Sequence, residues 1–352
     1  MAEPRRWVGQ LRRVLGARAI RGSNSIEGHV VSVEDALAAI EGEQPTTAAQ
    51  EDWRAVSGYR RAMTYVLQLA QDGFFAYTPQ TIRALHFMMT EYALDAGPAL
   101  WRPGPIWIRN DATGDIVYEA PDAEQVPDLI DELVAELAGD RDTPPLIRAA
   151  MAHLNLVMIH PFRDGNGRMS RCLQTLVLAR ERILVPEFAS IEEYLGANAS
   201  AYYGVLQRVG GQRWDPERDA RPWLRFCLTA HYVQAASVLR RVRESEQIWV
   251  RLDALRAERR LPERTMAALF DAAVGLRIRN ASYRAALRDW GDDISNQVAT
   301  TDLRLMVAGG LLAQLGAKRG THYEASPLLR GVRDELQRGR APIDPDSLFA
   351  LS

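Results

Sequence analysis

"IHPFRDGNGRMSRC", residues 159–172, interrupts a chain whose other long stretches space apolar residues by three and four. It sets a His-Pro pair, a Gly-Asn-Gly turn, one acid and three arginines side by side, a collection that a packed core does not need. Pro161 has no N–H and disfavours helix at its predecessor, so the preceding helix is expected to end at or near His160. This leaves the imidazole, the side chain best able to take a proton near neutral pH, at a helix end facing a loop. Gly165, Asn166 and Gly167 let the backbone turn tightly, and a helix is expected to begin immediately afterwards. Free N–H groups at a helix N-terminus, aided by the dipole, form an anion site. Arg168 and Arg171 lie three apart on that first turn, on one face, where they can fork onto phosphate oxygens. Asp164, a hard carboxylate beside the anion site, suits a Mg²⁺ shared with phosphates. Phe162 is expected to pack into the core and hold the loop. Each element alone is commonly a turn, a cap or a solvated helix; together, in this order, they point to a site for a phosphorylated ligand.

Outward from this stretch, helical spacing predicts helices over 53–72, 81–92, 126–138, 146–159, 168–182 and 221–243. Pro144 and Pro145 open the helix before the motif, and Pro186 and Pro222 punctuate later ones. The clear β signal is "PIWIRNDATGDIVYEAP", residues 105–121. Ile106 and Ile108 alternate with Trp107 and Arg109, and Ile116 and Tyr118 with Val117 and Glu119, around turn residues Asn110, Asp111 and Gly114. An isolated hairpin is marginal in water, so this one must lie on something.

The bulk properties set the class. At 352 residues the chain is long enough for two or three domains, and 47% hydrophobic with 25% charged residues describes a soluble globular protein. A net charge of -2 excludes a general attraction to nucleic acid or membrane; any such affinity must come from a local patch. Cys172 and Cys227, the only cysteines, are expected to be buried thiols in a reducing compartment, hence a cytoplasmic protein. No apolar run is long enough to span a bilayer, and no signal-peptide core is visible. The first 21 residues are Arg-rich and acid-poor, as transit peptides are, but are expected to form an exposed amphipathic first helix. Lys318 is the single lysine, a bias that points to a GC-rich, bacterial genome.

"HPFRDGNGRMSR" matches HxFx[D/E]GNGRxxR, the motif of the Fic-domain family, at every specified position. The resemblance extends over the hairpin, which looks like the Fic flap, and over the helices from about 81 to 231. It implies a mainly α fold, a Fic-type helical bundle core with a β-hairpin flap, and transfer of AMP from ATP to a Ser, Thr or Tyr hydroxyl of a target protein. By position, His160 would be the base, Asp164 would hold Mg²⁺, Gly165, Asn166 and Gly167 would cradle the inner phosphates, and Arg168 and Arg171 would neutralise the outer ones. A flap would pair a target segment along its edge; Ile106 and Trp107 would clamp the modified side chain, with core packing as the alternative. "EEYLGANASAYYGVL", residues 192–206, resembles the family segment on the adenine side, where Tyr202 or Tyr203 is the candidate and helix packing the alternative.

A second stretch, "RGSNSIEGHV", matches the family's inhibitory pattern [S/T]xxxE[G/N] through Ser23, Glu27 and Gly28. Ser23 and Glu27 share a helix face, and Gly28 suits the helix end. The resemblance implies a Glu27–Arg171 pair that occupies the arginine needed by the γ-phosphate. In some relatives the equivalent glutamate also positions a water that removes AMP, so a transferase, a bifunctional enzyme and a reverse enzyme all stand open.

Toward the C-terminus, "RAERRLPERT" reads as a linker to a module that resembles a winged helix-turn-helix. Asp293 or Ser295 is expected to cap one helix and Thr300 or Thr301 the next, with 300–307 as the recognition helix. Gly309 and Gly310 would close it, and Lys318 and Arg319 would lie in a two-stranded wing. Asp292, Asp293 and Asp302 dilute the basic charge, so DNA binding and protein contact or homodimerisation are alternatives of equal weight. The expected division is 1–80 (helical, with the inhibitory motif), 81–243 (Fic core) and 262–340 (winged-helix-like). A DNA-binding regulator with a nucleotide-sensing core is the rival, but a sensor does not need the intact His160.

Overall fold

The computed structural model describes residues 6–42, 45, 47–109, 113–140, 142–182 and 190–349. The turn residues Asn110 and Asp111 and the punctuating Pro186 lie outside the described residues. The chain divides into two compact units: Gly16–Ala235 with Asp344–Ser352, and Met1–Leu15 with Ala236–Ile343.

The first unit is a helical bundle. It holds the later part of α1 (Trp7–Ile26), then α2 (Val33–Glu41), α3 (Gln50–Gln71), α4 (Pro79–Thr90), α5 (Val126–Gly139), α6 (Pro145–Ile159), α7 (Asn166–Arg180), α8 (Glu192–Ala197), α9 (Ala199–Gly210) and the start of α10 (Arg221–Glu258). Thr78 caps α4 by accepting from Thr81 N, with Pro79 in its first turn, and Pro145 opens α6 in the same way. α7 is buried on all sides, from Met169 through Ala179, which is why its sequence carries no clear polar face. It packs on α6 and α3 as the central helix. A second core lies between α6, α9 and α10, where Trp223 and Tyr202 are fully buried and Trp223 Nε1 donates to Ala150 O at 2.7 Å. Cys172 and Cys227 are free and buried.

The hairpin consists of β1 (Trp107–Arg109) and β2 (Ile116–Glu119), antiparallel, with Trp107 opposite Glu119 and a register irregularity between Ile108 and Arg109. That irregularity breaks the expected alternation: Tyr118 turns inward while Ile116 faces out. The hairpin does find support. Tyr118 OH donates to Met158 O at 2.7 Å, and Glu119 exchanges backbone bonds with Gln212 and Trp214.

The second unit contains the start of α1, the later part of α10, α11 (Met266–Ala273), α12 (Asn280–Asp289), α13 (Asn296–Ala308), a hairpin of β3 (Leu312–Leu315) and β4 (His322–Ala325), and α14 (Pro327–Arg338). Here Gln10 Nε2 donates to Ala267 O and Asp271 Oδ1, both at 2.8 Å.

Four expectations need correction. The first helix is not exposed: Trp7, Leu11, Leu15, Ile20 and Ile26 are all buried. The helix opening at Arg221 does not end near 243 but continues to Glu258, because Ile248 and Leu252 bury at helical spacing beneath the charged residues that masked it. The linker therefore shrinks to the few residues after Glu258. Thr300 and Thr301 cap nothing; they lie inside α13, bonding back to Asn296 O and Gln297 O, and Ser295 alone caps that helix. Asp302 does not face out to dilute basic charge: it is buried, held in a fork by Arg264 and bonded by Tyr283 OH.

Candidate functional site

The site is built at the junction of α6 and α7. His160 ends α6 with φ 52 and ψ 57, a left-handed conformation, while its N–H still closes the last helical bond to Leu156 O at 3.0 Å. Its Nδ1 lies 3.0 Å from Val157 O, and since a carbonyl can only accept, Nδ1 carries the proton. Nε2 is left with its lone pair, the arrangement a general base requires. Burial and the Arg102 guanidinium hold the His160 pKa below its ordinary value, against the opposing pull of the Val157 carbonyl, Glu27 and Asp164.

The loop that follows is braced from inside. Phe162 is fully buried and stacks on His86 at a centroid distance of 3.6 Å. His86 accepts from Ala99 N at Nδ1 and donates from Nε2 to Asp164 O at 2.8 Å, so it must be neutral. Burial lowers its pKa to about 4, and that of His153, bonded to Gln174 and Tyr202, to about 3. Both values lie below the unfolded-state value, so the stability these groups contribute is complete above about pH 6.5 and is lost as pH falls below it, at about 1.4 kcal/mol per pH unit for each. The melting temperature should therefore drop clearly between pH 7 and pH 5, and a flat melting curve over that interval would contradict the assignment.

Gly165 has φ 79, and a Cβ there would press on Thr90 and His86. The carboxamide of Asn166 does not reach toward a ligand: Oδ1 accepts from Phe162 N at 2.9 Å and Nδ2 donates to Phe162 O at 2.8 Å. Its contribution is to hold the turn, so that the first N–H groups of α7 stand free as a helix N-terminus leaves them.

Arg168 and Arg171 of α7 are almost wholly buried. Arg168 donates to Tyr92 OH at 3.0 Å and to Asp164 Oδ2 at 3.1 Å, while its Nε has no partner. Arg171 donates from Nε to Ser23 Oγ at 2.7 Å and from Nη2 to Ser23 O at 3.0 Å and Glu27 Oε1 at 2.7 Å, while its Nη1 has no partner. Orphaned guanidinium N–H groups in a buried position are costly, and phosphate oxygens would satisfy them. Asp164 is half exposed and paired with Arg168; among the described residues no cluster of three or more potential metal ligands occurs. A single carboxylate fits a cation that takes its remaining ligands from water and phosphate rather than from a protein cage.

Ser23 and Glu27 reach this site from the end of α1. Gly28, with φ 85, closes the helix through bonds from Gly28 N to Ser25 O and His29 N to Asn24 O, a Schellman turn that aims Glu27 at α7. The Glu27 carboxylate lies over Gly167, where any Cβ would collide with Oε1. Ser23 does more than shape the helix. It bonds Arg171 directly. Glu192 is a buried acid that accepts from Tyr59 OH and Ser190 Oγ. Burial raises the Glu192 pKa, although Tyr59, Arg171 and the serines oppose the shift. The exit of this segment is held by His29, paired with Asp52 at 3.0 Å and lying 3.5 Å from Tyr92 OH.

The remaining candidates separate. Trp107 is 43% exposed, which removes core packing as its role, and Ile106 is half-buried. Tyr202 is buried and bonded to His153, whereas Tyr203 is half exposed and donates to Ile26 O at 2.9 Å, next to Glu27. Arg102, His86, Tyr92 and Glu192 were not singled out from the sequence. Each meets a side chain or carbonyl of the site far along the chain: Arg102 at His160, His86 at Asp164, Tyr92 at Arg168 and Glu192 at Tyr59.

The sequence profile of the Fic/DOC family matches residues 76–178. Protein adenylyltransferase fic-1 of Caenorhabditis briggsae is 47% identical over 57 residues, which is 16% of this chain and 11% of that protein. A probable protein adenylyltransferase of Aquifex aeolicus is 30% identical over 89 residues, 25% of this chain and 28% of its own length. The match thus spans a small part of these relatives. Among solved structures, a Fic family protein from Desulfovibrio desulfuricans G20 shares the fold with a TM-score of 0.54 at 22% identity, over 90% of this chain and 88% of that one. A Fic domain containing signaling protein from Bacteroides thetaiotaomicron gives 0.53 at 22% identity, over 66% and 88%. The HxFx[D/E]GNGRxxR residues lie within the matched segment and converge on one helix junction, so it is over residues 76–178 that this chain is similar to the Fic/DOC family.

Proposed function

We propose that this chain is a protein adenylyltransferase that moves AMP from ATP onto a Ser, Thr or Tyr hydroxyl of a target protein, and that Glu27 holds it inhibited. The observation that carries the reading is the free Nε2 of His160 beside a helix N-terminus flanked by two buried, incompletely bonded arginines. His160 Nε2 takes the hydroxyl proton, the oxygen bonds to the α-phosphorus, and the bond from that phosphorus to the bridging oxygen breaks to release pyrophosphate. Such transfers depend mainly on positioning and charge stabilisation. The N–H groups at Gly165, Asn166 and Gly167 and the guanidinium groups of Arg168 and Arg171 supply both. Asp164 would hold Mg²⁺, which when bound neutralises phosphate charge. Trp107 and Ile106 on the flap would meet the target, and the half-exposed ring of Tyr203 would face the nucleotide. Removal of AMP would use the same groups, and an AMP-modified target would reveal that direction. No described helix is long and apolar enough to cross a membrane, and two buried free thiols fit a reducing cytoplasm. Incubation of the Glu27→Gly protein with labelled ATP should give self-labelling; none at any protein concentration would reject the transferase reading.

One observation favours duplex DNA as a further partner. With Asp302 turned inward, the exposed face of α13 presents Gln297, Thr301 and Arg304. Gel-shift assays with genomic fragments should show retardation that weakens steeply with salt and is reduced severalfold in Arg304→Ala. No retardation at low salt would leave protein contact as the role of that face.

A further inference from the structure

Arg102 lies between α4 and β1, outside the motif, and is 3% exposed. Every arm of its guanidinium is bonded. Nε donates to His160 O at 2.9 Å, Nη1 to Gly104 O at 2.8 Å and Nη2 to Pro121 O, while its backbone N–H donates to Pro161 O at 2.9 Å. Gly104 and Pro121 are the two feet of the flap: one precedes β1, the other follows β2, and Ala120 N closes on Ile106 O between them. His160 holds a left-handed backbone that non-glycine residues rarely adopt, and Arg102 binds the carbonyl that this conformation turns away from α6.

We propose that Arg102 is a positioning residue that rivets both feet of the flap to the His160 turn, so that one side chain sets the placement of the target strand and of the base. The inference rests on the reading of His160 as that base. A planar fork of fixed donors suits three carbonyls in three directions, whereas a lysine ammonium is a point charge on a flexible stem. Arg102 also acts on His160 by its charge. The groups facing this imidazole are the carboxylates of Glu27 and Asp164, the Val157 carbonyl and Arg102; of the charged ones only Arg102 favours the neutral ring.

Two variants separate geometry from charge. In a Glu27→Gly parent, Arg102→Lys keeps a cation and loses the fork. It should slow self-labelling about tenfold, leaving the pH of half-maximal rate in place. Arg102→Met loses both. It should slow labelling comparably and move the acid limb to higher pH, because without the cation His160 binds its proton more tightly and only the neutral ring can act as base. Two measurements do not depend on transfer: the imidazole ¹⁵N titration of His160, assigned by comparison with His160→Ala, and hydrogen exchange of the amides over 104–121. The His160 midpoint should rise in Arg102→Met only, and the flap amides should exchange about tenfold faster in both. An unmoved midpoint together with unchanged flap exchange would overturn the proposal. If Arg102→Met does not fold, flap exchange in Arg102→Lys decides alone. If the parent shows no labelling, the transferase reading fails while titration and exchange still decide the role of Arg102.

Discussion

Glu27→Gly should raise AMP transfer by about ten- to a hundredfold, the span of a 1.4–2.8 kcal/mol change in competition for one site. The reason is positional. Glu27 Oε1 takes Arg171 Nη2 at 2.7 Å, and the same carboxylate lies over Gly167 at the N-terminus of α7, where a phosphate would sit. A triphosphate must displace a charge-assisted bond that is only 22% exposed on the glutamate side and 1% on the arginine side, hence poorly screened. Removing Glu27 also leaves the buried Arg171 guanidinium without its carboxylate partner, so the unliganded variant should melt lower than wild type and regain stability when ATP is added. Ser23→Ala is a different perturbation. It strips the acceptor from Arg171 Nε, so it disturbs the arginine itself as well as the helix that presents Glu27. Its gain should be smaller. Labelling rates and melting temperatures of the two variants beside wild type check both statements; no gain in Glu27→Gly would end the inhibitory role.

His160→Ala in the Glu27→Gly background should lower transfer by about a hundredfold or more, the typical contribution of a positioned base. ATP affinity measured by calorimetry should change by no more than about threefold, because phosphate binding is assigned to Arg168, Arg171 and the α7 terminus, and these are held by Phe162, His86, Tyr92 and Ser23 rather than by the imidazole. Alanine also suits the helix end poorly, since it must adopt the same left-handed backbone, so His160→Asn is the better-tolerated control. If the double variant retains the gain of Glu27→Gly, another group is the base.

The local chemistry of the site was legible in the sequence. Pro161 stops α6, Gly165 permits the turn, the two arginines follow on one helix, and Ser23, Glu27 and Gly28 share a helix end; all of these depend on residues within a few positions of one another. The pairing of Glu27 with Arg171, 144 residues apart, was reached through the family resemblance and not through spacing. Where only long-range packing decides, the sequence was silent. Arg102 meets His160 across 58 residues and His86 meets Asp164 across 78, and neither belongs to a periodic pattern that would single it out. The same holds for Asp302, whose charge reads as solvated until Arg264 and Tyr283 enclose it. Periodicity reports which face of a helix is apolar. It does not report which polar side chain will be carried into the interior, because that depends on whether another element arrives there with the matching donors, and only the tertiary structure settles it.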